Sequence, residues 1–389
     1  MNKKTRILFV GLSLKVGGIE RALVEQVNAL DKNVYDIDLF LFHRGGEYLQ
    51  YVSPQVNVLK TNLVISSMAM TKDEAKQSKE HFIIRSIMYV LSKFIGNRRL
   101  YSVVFGFMRK LKGYDVAVSY FHDGNSKGLY FGSNLFVLEK VEARRKVAWI
   151  HSDPKLLNAD SEDNRELYRK FDAVINVSDA MKRKFDNLEI VDLERSKVVY
   201  NRYDEQKILH LAEESIATSQ SKVIIVTVGR LEKFKGTSEL LNIARRLKED
   251  GFNFKWFFIG TGCQEEEAKK YVCDNGLNEN VVFTGKIANP YPYIKHADLM
   301  VSGSLTETFG LSILEALILN TPVAAYRYDA IDEVVQNGVN GIVADTFDEL
   351  YQEMSKLLSD RNRLMGMKVS AKPLLDYNTL NISQIKEVL

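Results

Sequence analysis

The segment 304–325, SLTETFGLSILEALILNTPVAA, holds the residues whose types and spacing are best suited to chemistry. Glu307 precedes a predicted helix that begins near Gly310, and Glu315 lies within that helix. Because eight residues at a helical rise of about 1.5 Å span no more than about 12 Å, the two carboxylates could hold a sugar and a ribose of one ligand. Free N–H groups at the helix start could also bind an anion or sugar hydroxyls. In the alternative interpretation, Glu315 is a helix-surface charge and Glu307 is an acid favoured by the helix dipole.

A second cluster of candidate residues lies in the segment 228–236, VGRLEKFKG, directly after a predicted strand. Arg230 offers a guanidinium fork and Lys235 an ammonium point charge, which are the groups that a diphosphate leaving group needs as its negative charge develops. Basic residues at a strand end can equally be solvated surface. Together with the two glutamates, however, they favour a binding site.

Two weaker candidates follow other predicted strands. Gly17 and Gly18 could let backbone N–H groups approach a phosphate, but neither a GxGxxG nor a Walker pattern is present, so a plain turn explains them equally well. In WIHSDP, residues 149–154, His151 could hydrogen-bond a bound sugar, and Asp153 could orient it or act on an acceptor hydroxyl. A lone histidine is more often structural.

A metal could help to neutralise a leaving diphosphate, and Asp36 and Asp38 form an Asp-x-Asp pair. They lie at the start of a predicted strand, far in sequence from the other candidates, so we interpret them as structural. Cys263 and Cys273 lie far from any second Cys/His pair, which excludes a disulfide framework and a zinc site of the usual spacing.

The elements that must position these residues follow an alternating strand and helix pattern, which is typical of doubly wound α/β domains. Apolar runs predict one set of strands at 6–10, 37–42, 115–120, 146–151, 173–178 and 197–200, and a second set at 222–229, 254–260, 280–285, 298–303, 322–326 and 341–344. Periodic segments predict helices at 237–249, 264–273 and 311–319. The polar stretch 204–221 separates the two sets, so we predict domains over 1–205 and 206–370 and a C-terminal segment over 371–389. We expect the two Rossmann-like domains to face a central cleft, with ligands at the carboxyl ends of the strands.

Composition limits the class of protein. The chain has 389 residues, of which 46% are hydrophobic and 26% charged, and its net charge of only +3 gives no reason to expect nucleic acid as a partner. No apolar stretch reaches the ~18 residues that a membrane span needs, and we expect a cytoplasmic protein.

The segment 81–112 departs from this pattern because it has seven Lys and Arg residues among apolar ones but no Asp or Glu. It predicts one or two basic amphipathic helices. Two interpretations stay open: helices packed on the core with solvated basic faces, or a peripheral contact with the inner face of the cell membrane.

Taken together, these residues resemble glycosyltransferase family 4, a family of retaining enzymes with the GT-B fold, over nearly the whole chain. The most specific likeness is the Glu-x7-Glu element from Glu307 to Glu315, followed by Asn320-Thr321-Pro322-Val323. Supporting likenesses are Gly229-Arg230 with Lys235-Gly236, the strand end Val282-Phe283-Thr284-Gly285, the pair Gly17-Gly18, and Asn201 ahead of Asp204. The family usually has Gly or Ala before the proline, where this chain has Asn320-Thr321, and 81–112 is not a family motif.

The resemblance implies a role for each matching position. Glu307 would contact the transferred hexose, Glu315 would bind the donor ribose, and Arg230 and Lys235 would hold the diphosphate. The remaining contacts would come from the amides of Phe309, Gly310 and Leu311, from Lys286 or Ile287 beside the base, and from His151 over the donor sugar. The resemblance also implies an N-terminal acceptor-side domain, a C-terminal donor domain, and a final segment that packs back on the first domain. No cofactor and no metal would be required, because the nucleoside diphosphate sugar is a substrate.

The function implied is transfer of a hexose, with retained configuration, from a nucleoside diphosphate sugar to a glycan hydroxyl. We expect a UDP-sugar and a lipid-linked acceptor in bacterial cell-surface or capsular polysaccharide synthesis, with the displaced phosphate as the base. A dTDP- or GDP-sugar donor, or a non-catalytic sugar-nucleotide-binding protein, are the alternatives. A dinucleotide-dependent oxidoreductase is disfavoured because it would need GxGxxG after a strand.

Overall fold

The computed structural model describes residues 3–123, 129, 132–215 and 222–389, and it divides into two compact units. The N-terminal unit runs to Tyr203 and also includes Tyr377–Leu389, and the C-terminal unit is Asp204–Asp376. These limits differ from the predicted ones at 205 and 370. Asp204 belongs to the second unit because its side chain accepts a hydrogen bond from the Lys207 N–H and thereby starts a helix there.

The N-terminal unit is built on a parallel sheet of seven strands in its described residues, in the order β3-β2-β1-β4-β5-β6-β7. The strands are β1 (Thr5–Gly11), β2 (Tyr35–Leu41), β3 (Asn57–Val58), β4 (Leu111–Ser119), β5 (Val141–Ile150), β6 (Ala173–Asn176) and β7 (Ser196–Val198). The helices of this part are α1 (Gly18–Ala29), α2 (Leu63–Ala69), α3 (Lys72–Ala75), α4 (Lys79–Ile95), α5 (Asn97–Gly106), α6 (Ser133–Lys140), α7 (Glu162–Arg169) and α8 (Asp179–Asp186).

Strand β1 shows why the central strands read as continuous apolar runs. Leu8 and Val10 pack into the core on one side of the sheet, whereas Ile7 and Phe9 pack into the core on the other side. Successive side chains of a strand point to opposite faces, so a strand covered on both faces has no polar alternation. This burial fixes the strand at the centre of the sheet.

The C-terminal unit has a second parallel sheet, whose described strands follow the order β10-β9-β8-β11-β12-β13. Its strands are β8 (Val223–Val228), β9 (Phe254–Ile259), β10 (Val281–Gly285), β11 (Leu299–Ser302), β12 (Val323–Tyr326) and β13 (Gly341–Ala344). Its helices are α9 (Glu205–Leu211), α10 (Thr237–Glu249), α11 (Glu265–Asp274), α12 (Tyr291–His296), α13 (Leu311–Ile318), α14 (Phe347–Ser359) and α15 (Arg361–Ser370). Short 3₁₀ turns lie at Glu47–Tyr51, Lys233–Lys235 and Ile331–Glu333.

The last helix, α16 (Tyr377–Val388), returns to the N-terminal unit. Its Asn381 is buried and donates hydrogen bonds of 2.7 Å each to the Gln26 Oε1 atom and to the Tyr200 carbonyl. Ile385 and Val388 complete the core beside α1. The return begins later than the predicted residue 371, because the Lys372 carbonyl accepts a 2.9 Å hydrogen bond from Asn340 of the C-terminal unit.

Both sheets contain a point at which the strand order reverses. In the N-terminal sheet it lies between β1 and β4, and in the C-terminal sheet it lies between β8 and β11. Loops leave in opposite directions from two neighbouring strands at such a point, which opens a crevice at their carboxyl ends. Residues that follow β8 and β11 are therefore in the position where open α/β sheets bind ligands.

The basic segment 81–112 forms α4 and α5, and its last residues begin β4. Within the described chain, no helix combines the length and the apolar character that crossing a membrane demands.

Candidate functional site in the C-terminal unit

The loops after β8 and β11 touch each other through their backbones. The Leu305 N–H donates a 2.9 Å hydrogen bond to the Phe234 carbonyl. Gly236 has φ +66°, and a Cβ at this position would lie 2.3 Å from the Gly303 carbonyl oxygen. Because only glycine accepts both the left-handed backbone and this close approach, Gly236 holds the two loops together at the crevice.

This loop contact places two of the predicted site residues against each other. The Lys235 ammonium contacts the Glu307 carboxylate, and both side chains are about one-fifth exposed, at 21% and 22%. The Ser304 hydroxyl donates a second hydrogen bond, of 3.0 Å, to the same Glu307 oxygen. The pair is therefore partly shielded from water, where charge interactions are stronger than on an open surface.

Arg230 completes the cationic side of this cluster. Its guanidinium carbon lies 5.2 Å from the centre of the Phe234 ring, and the Lys235 ammonium lies 5.6 Å from the same ring. The cluster thus has two cations and one carboxylate around one aromatic side chain. Arg230 also lies near the Glu232 carboxylate, and a guanidinium and an ammonium so placed suit an anionic group such as a diphosphate.

Glu315 is buried on α13, at 4% exposure, so its interpretation as a helix-surface charge is wrong. The helix begins after Gly310, which has φ +85° and lies against the Tyr328 hydroxyl: a Cβ at Gly310 would be 2.3 Å from that oxygen. Leu311 is the first helical residue, and Phe309 is buried just before it. This close contact fixes the backbone of the loop that leads directly into the first N–H groups of α13.

The departure of the chain from the family pattern at the end of α13 has a simple structural explanation. Asn320 adopts φ +56°, which asparagine tolerates better than most residues. The Thr321 N–H bonds to the Ala316 carbonyl at 2.8 Å, and the Asn320 N–H bonds to the Leu317 carbonyl at 3.1 Å. These two bonds form a Schellman motif, with asparagine in the left-handed position that glycine occupies more often.

Lys286 and Ile287 follow β10, with Lys286 exposed and Ile287 half-buried. Their loop is tied to its neighbours through Gly260, whose N–H donates a 2.9 Å hydrogen bond to the Gly285 carbonyl. Gly260 has φ +142°, and a Cβ there would be 1.9 Å from the Gly229 carbonyl oxygen. The glycine turn after β9 therefore serves backbone packing beside the Arg230 loop.

The other predicted residues lie in the N-terminal unit. Gly17 precedes α1 with an extended backbone, φ −171°, which any residue can adopt, and Gly18 is the first helical residue. The preceding loop is held by a 2.5 Å ion pair between Lys15 and Glu74. A phosphate-binding role for the glycine pair stays a prediction.

His151 directly follows β5 and is buried among aromatic rings. Its ring lies 4.5 Å from the Tyr120 ring and is nearly parallel to the Trp149 ring at 5.7 Å. Burial lowers the pKa of the His151 imidazole well below its ordinary value, so the ring is neutral at physiological pH. Asp153 accepts hydrogen bonds of 2.5 Å from the Lys184 ammonium and 2.8 Å from the Lys155 N–H, which gives its carboxylate a structural role.

Sequence reasoning missed His122 and Asp123, which follow β4 at the strand-order reversal of the N-terminal sheet. Burial lowers the pKa of His122 to about 4. Burial raises the pKa of Asp123 to about 6, although backbone N–H groups such as those of Leu135 and Gly132 oppose the shift. The His-Asp-Gly sequence after a predicted strand was the available signal.

The Asp-x-Asp pair has structural partners. Asp38 is buried and accepts hydrogen bonds of 2.9 Å from Arg6, 2.6 Å from the Tyr114 hydroxyl and 2.7 Å from Asn57. Asp36 lies 3.9 Å from the same arginine. In the part of the chain that the structure describes, no three His, Cys, Asp or Glu side chains are grouped so that they could hold a metal ion. Metal independence stays a prediction.

Comparison with known proteins finds a matching family model for part of the chain, related sequences and a shared fold. Residues 212–372 match the family model described as "Glycosyl transferases group 1". The Alpha-D-kanosaminyltransferase of Streptomyces kanamyceticus is 26% identical over 39% of this chain and 40% of its own length. The N-acetylgalactosamine-N,N'-diacetylbacillosaminyl-diphospho-undecaprenol 4-alpha-N-acetylgalactosaminyltransferase of Campylobacter jejuni is 26% identical over 53% of this chain and 56% of its own length. This chain therefore spans less than two thirds of either relative.

A solved structure matches nearly the whole chain. Anabaena Alr3699/HepE, solved in complex with UDP-glucose, covers 98% of this chain and 99% of its own with a TM-score of 0.68 at 20% identity. Together with the two parallel α/β units, this match confirms the predicted GT-B fold. The match to the group 1 model lies within the C-terminal unit, and together with the similarity to proteins named as glycosyltransferases it supports the prediction of a glycosyltransferase.

Proposed function

We propose that this protein transfers a hexose from a UDP-sugar to a hydroxyl of a glycan acceptor and retains the anomeric configuration. The observation that best supports this function is the contact of Lys235 with Glu307 where the strand order of the C-terminal sheet reverses, with Arg230 beside it. The cations Arg230 and Lys235 suit a diphosphate, and the Glu307 carboxylate suits sugar hydroxyls. UDP is favoured because HepE, which has the same fold, was solved with UDP-glucose.

In the proposed reaction, the bond between the anomeric carbon and the diphosphate oxygen breaks, and the acceptor oxygen bonds to that carbon on the same face. Arg230 and Lys235 stabilise the negative charge that develops on the leaving diphosphate. The acceptor proton passes to the departing phosphate oxygen, so no side chain need act as the base. Glu307 binds the hexose and Glu315 binds the ribose. A neutral His151 over the donor sugar remains an expectation from the family resemblance.

We further propose a lipid-linked glycan as the acceptor, in the synthesis of a cell-surface polysaccharide. The similar Campylobacter jejuni protein is named for an acceptor linked to diphospho-undecaprenol. The alignment with that protein covers only part of each chain, so the acceptor needs its own test.

The test is UDP release from UDP-glucose, UDP-galactose and UDP-N-acetylglucosamine, with and without an extract of polyprenyl-linked glycans. We expect one donor to give acceptor-dependent release, and an NMR spectrum of the product to show the retained anomer. Lys235→Met is expected to lower the rate at least about 100-fold, since a cation at a leaving group contributes about 3 kcal/mol or more.

Lys270→Met is the matched control, because Lys270 is an exposed lysine on α11 of the same unit. It is expected to leave the rate unchanged. Equal losses in both variants would contradict a specific role of Lys235, and release that no acceptor stimulates would contradict the acceptor. An inverted product would contradict retention.

A further inference from the structure

Helix α4 presents two different faces along its 17 residues. His81, Ile84, Arg85, Met88 and Ser92 are half-buried, and Met88 packs against the core of the N-terminal unit. At about 3.6 residues per turn these positions share one side of the helix. That side attaches α4 to the protein.

The opposite side of α4 is an exposed apolar stripe. It consists of Ile83 (57% exposed), Ile87 (50%), Val90 (52%), Leu91 (39%) and Phe94 (81%). The spacing of three and four residues places these side chains in one row. No residue of α4 is buried, so the stripe has no covering element among the described residues. A soluble protein usually turns such a row of apolar side chains toward a partner.

Along the segment 81–112, which holds most of α4 and all of α5, the charged residues have one sign. From residue 81 to residue 112 the chain has no Asp or Glu, and the one acid of α4 is Glu80 in its first turn. Some cations are used within the fold: Arg98 pairs with Asp163 and Glu166. In contrast, Lys93, Arg99 and Arg109 are exposed and make no ion pair with any residue that the structure describes. Lys93 lies 4.8 Å from the Tyr89 ring, beside the stripe.

We propose that the outer face of α4 is a docking surface for an anionic phospholipid membrane, on which the helix lies parallel to the surface. The apolar stripe would enter the boundary between headgroups and acyl chains while the neighbouring cations meet the anionic headgroups. A second copy of the chain is a poorer occupant, because it would bring the same unpaired cations toward each other. A position on the membrane would suit the lipid-linked acceptor of the proposed function, but the inference itself depends only on the α4 surface.

The first measurement uses the full chain with Phe94→Trp. Both native tryptophans, Trp149 and Trp256, are buried, so a new exposed indole would report on the α4 surface. Vesicles of phosphatidylcholine with 30% phosphatidylglycerol are expected to shift its emission to shorter wavelengths. Pure phosphatidylcholine vesicles, or anionic vesicles in 0.5 M salt, are expected to give a much smaller shift, since salt screens the cations. An unchanged spectrum with anionic vesicles would overturn the docking surface.

The second measurement is co-sedimentation of native-sequence protein and two matched variants with the same vesicles. Val90→Asp places a carboxylate in the stripe, whereas Val369→Asp makes the same change at a 74% exposed valine on α15. We expect Val90→Asp to weaken vesicle binding at least about tenfold and Val369→Asp to leave it unchanged. Equal binding by the two variants would overturn the proposal. The proposal would also be overturned if the native sequence formed a concentration-dependent dimer that Val90→Asp abolishes and did not bind to the vesicles.

UDP binding separates this inference from the proposed function. Both valine variants are expected to keep the thermal stabilisation that UDP gives the native sequence, because neither residue belongs to the Lys235 cluster. Loss of vesicle binding with intact UDP binding would support membrane docking. Vesicle binding without any UDP binding would leave the docking surface standing and contradict the proposed function.

Discussion

Removing the charges of Lys235 and Glu307, singly and together, measures how strongly the site is held together before any ligand binds. Two unit charges about 4 Å apart attract by about 4 kcal/mol at an effective dielectric constant near 20. Desolvation and lost side-chain freedom oppose that gain, and each side chain is about one-fifth exposed. We therefore expect a coupling free energy of about 2 kcal/mol between Lys235→Met and Glu307→Gln in a double-mutant cycle.

The assay is urea unfolding followed by the fluorescence of Trp256, which is buried in the C-terminal unit and donates a 3.0 Å hydrogen bond to Thr227. A Trp149→Phe background removes the signal of the N-terminal unit. The matched cycle uses Lys269→Met and Glu265→Gln, an i, i+4 pair on the surface of α11 whose side chains are 48% and 23% exposed, and about 0.5 kcal/mol is expected for it. A coupling for Lys235 and Glu307 no larger than that of the surface pair would refute the idea that this contact organises the site.

The same variants separate the two roles in nucleotide binding. Lys235→Met is expected to weaken the binding of UDP at least about tenfold, since it removes a charged hydrogen bond to phosphate. Glu307→Gln is expected to bind UDP at least as tightly as the native sequence, because Lys235 is then released from its carboxylate partner. Weaker UDP binding by Glu307→Gln would contradict competition between Glu307 and the diphosphate for Lys235.

Two further predictions concern backbone packing and pH. Gly236→Ala is expected to lower the free energy of unfolding of the C-terminal unit by about 2 to 4 kcal/mol, because the alanine would be strained in the left-handed region and would overlap the opposite loop. The control Gly251→Ala, at φ +83° with open space around it, is expected to lower it by only about 1 to 2 kcal/mol. Similar losses in the two variants would refute the close contact between the loops. Because burial lowers the pKa of His151, its imidazole stays neutral in the folded state while it becomes charged in the unfolded chain below pH 6.5. In urea titrations, lowering the pH from 7.5 to 5.5 is expected to reduce the free energy of unfolding of the native sequence by about 1.4 kcal/mol more than that of the His151→Asn variant. If the free energies of unfolding of the two proteins changed in parallel with pH, this prediction would be contradicted.

Much of the fold could be predicted from periodicity. The helix predicted at 237–249 is α10 with the same limits, because Leu240, Leu241, Ala244 and Leu247 recur at helical spacing and are all buried. The short helices α2, α3 and α6 were not predicted, since a helix of only about two turns or less gives too little periodic signal. The domain limit was placed two residues late because a single N-capping aspartate decides it.

The types of the site residues could be predicted, but their contacts could not. Lys235 and Glu307 lie 72 residues apart, and their contact depends on backbone approach between two loops, which leaves no periodic pattern in the sequence. The burial of Glu315 was equally hidden, because a carboxylate within an apolar run is compatible with a surface position. No sequence pattern indicated that the glycine turn at 259–262 would pack against the Arg230 loop.

The central claim, that the C-terminal unit binds a nucleoside diphosphate sugar through Lys235, Glu307 and Glu315, is tested most directly by thermal shift. UDP-, GDP- and dTDP-sugars are compared with and without EDTA, for the native sequence, for Glu315→Gln and for a control, Glu266→Gln, whose side chain is 91% exposed. At a ligand concentration of 100 Kd, binding adds about 2.7 kcal/mol, which raises the Tm of a unit of this size by about 5 to 10 °C. We predict that a UDP-sugar gives this shift regardless of EDTA, that Glu266→Gln keeps it and that Glu315→Gln loses most of it. No shift with any of these sugars, or the same shift in both variants, would contradict the claim.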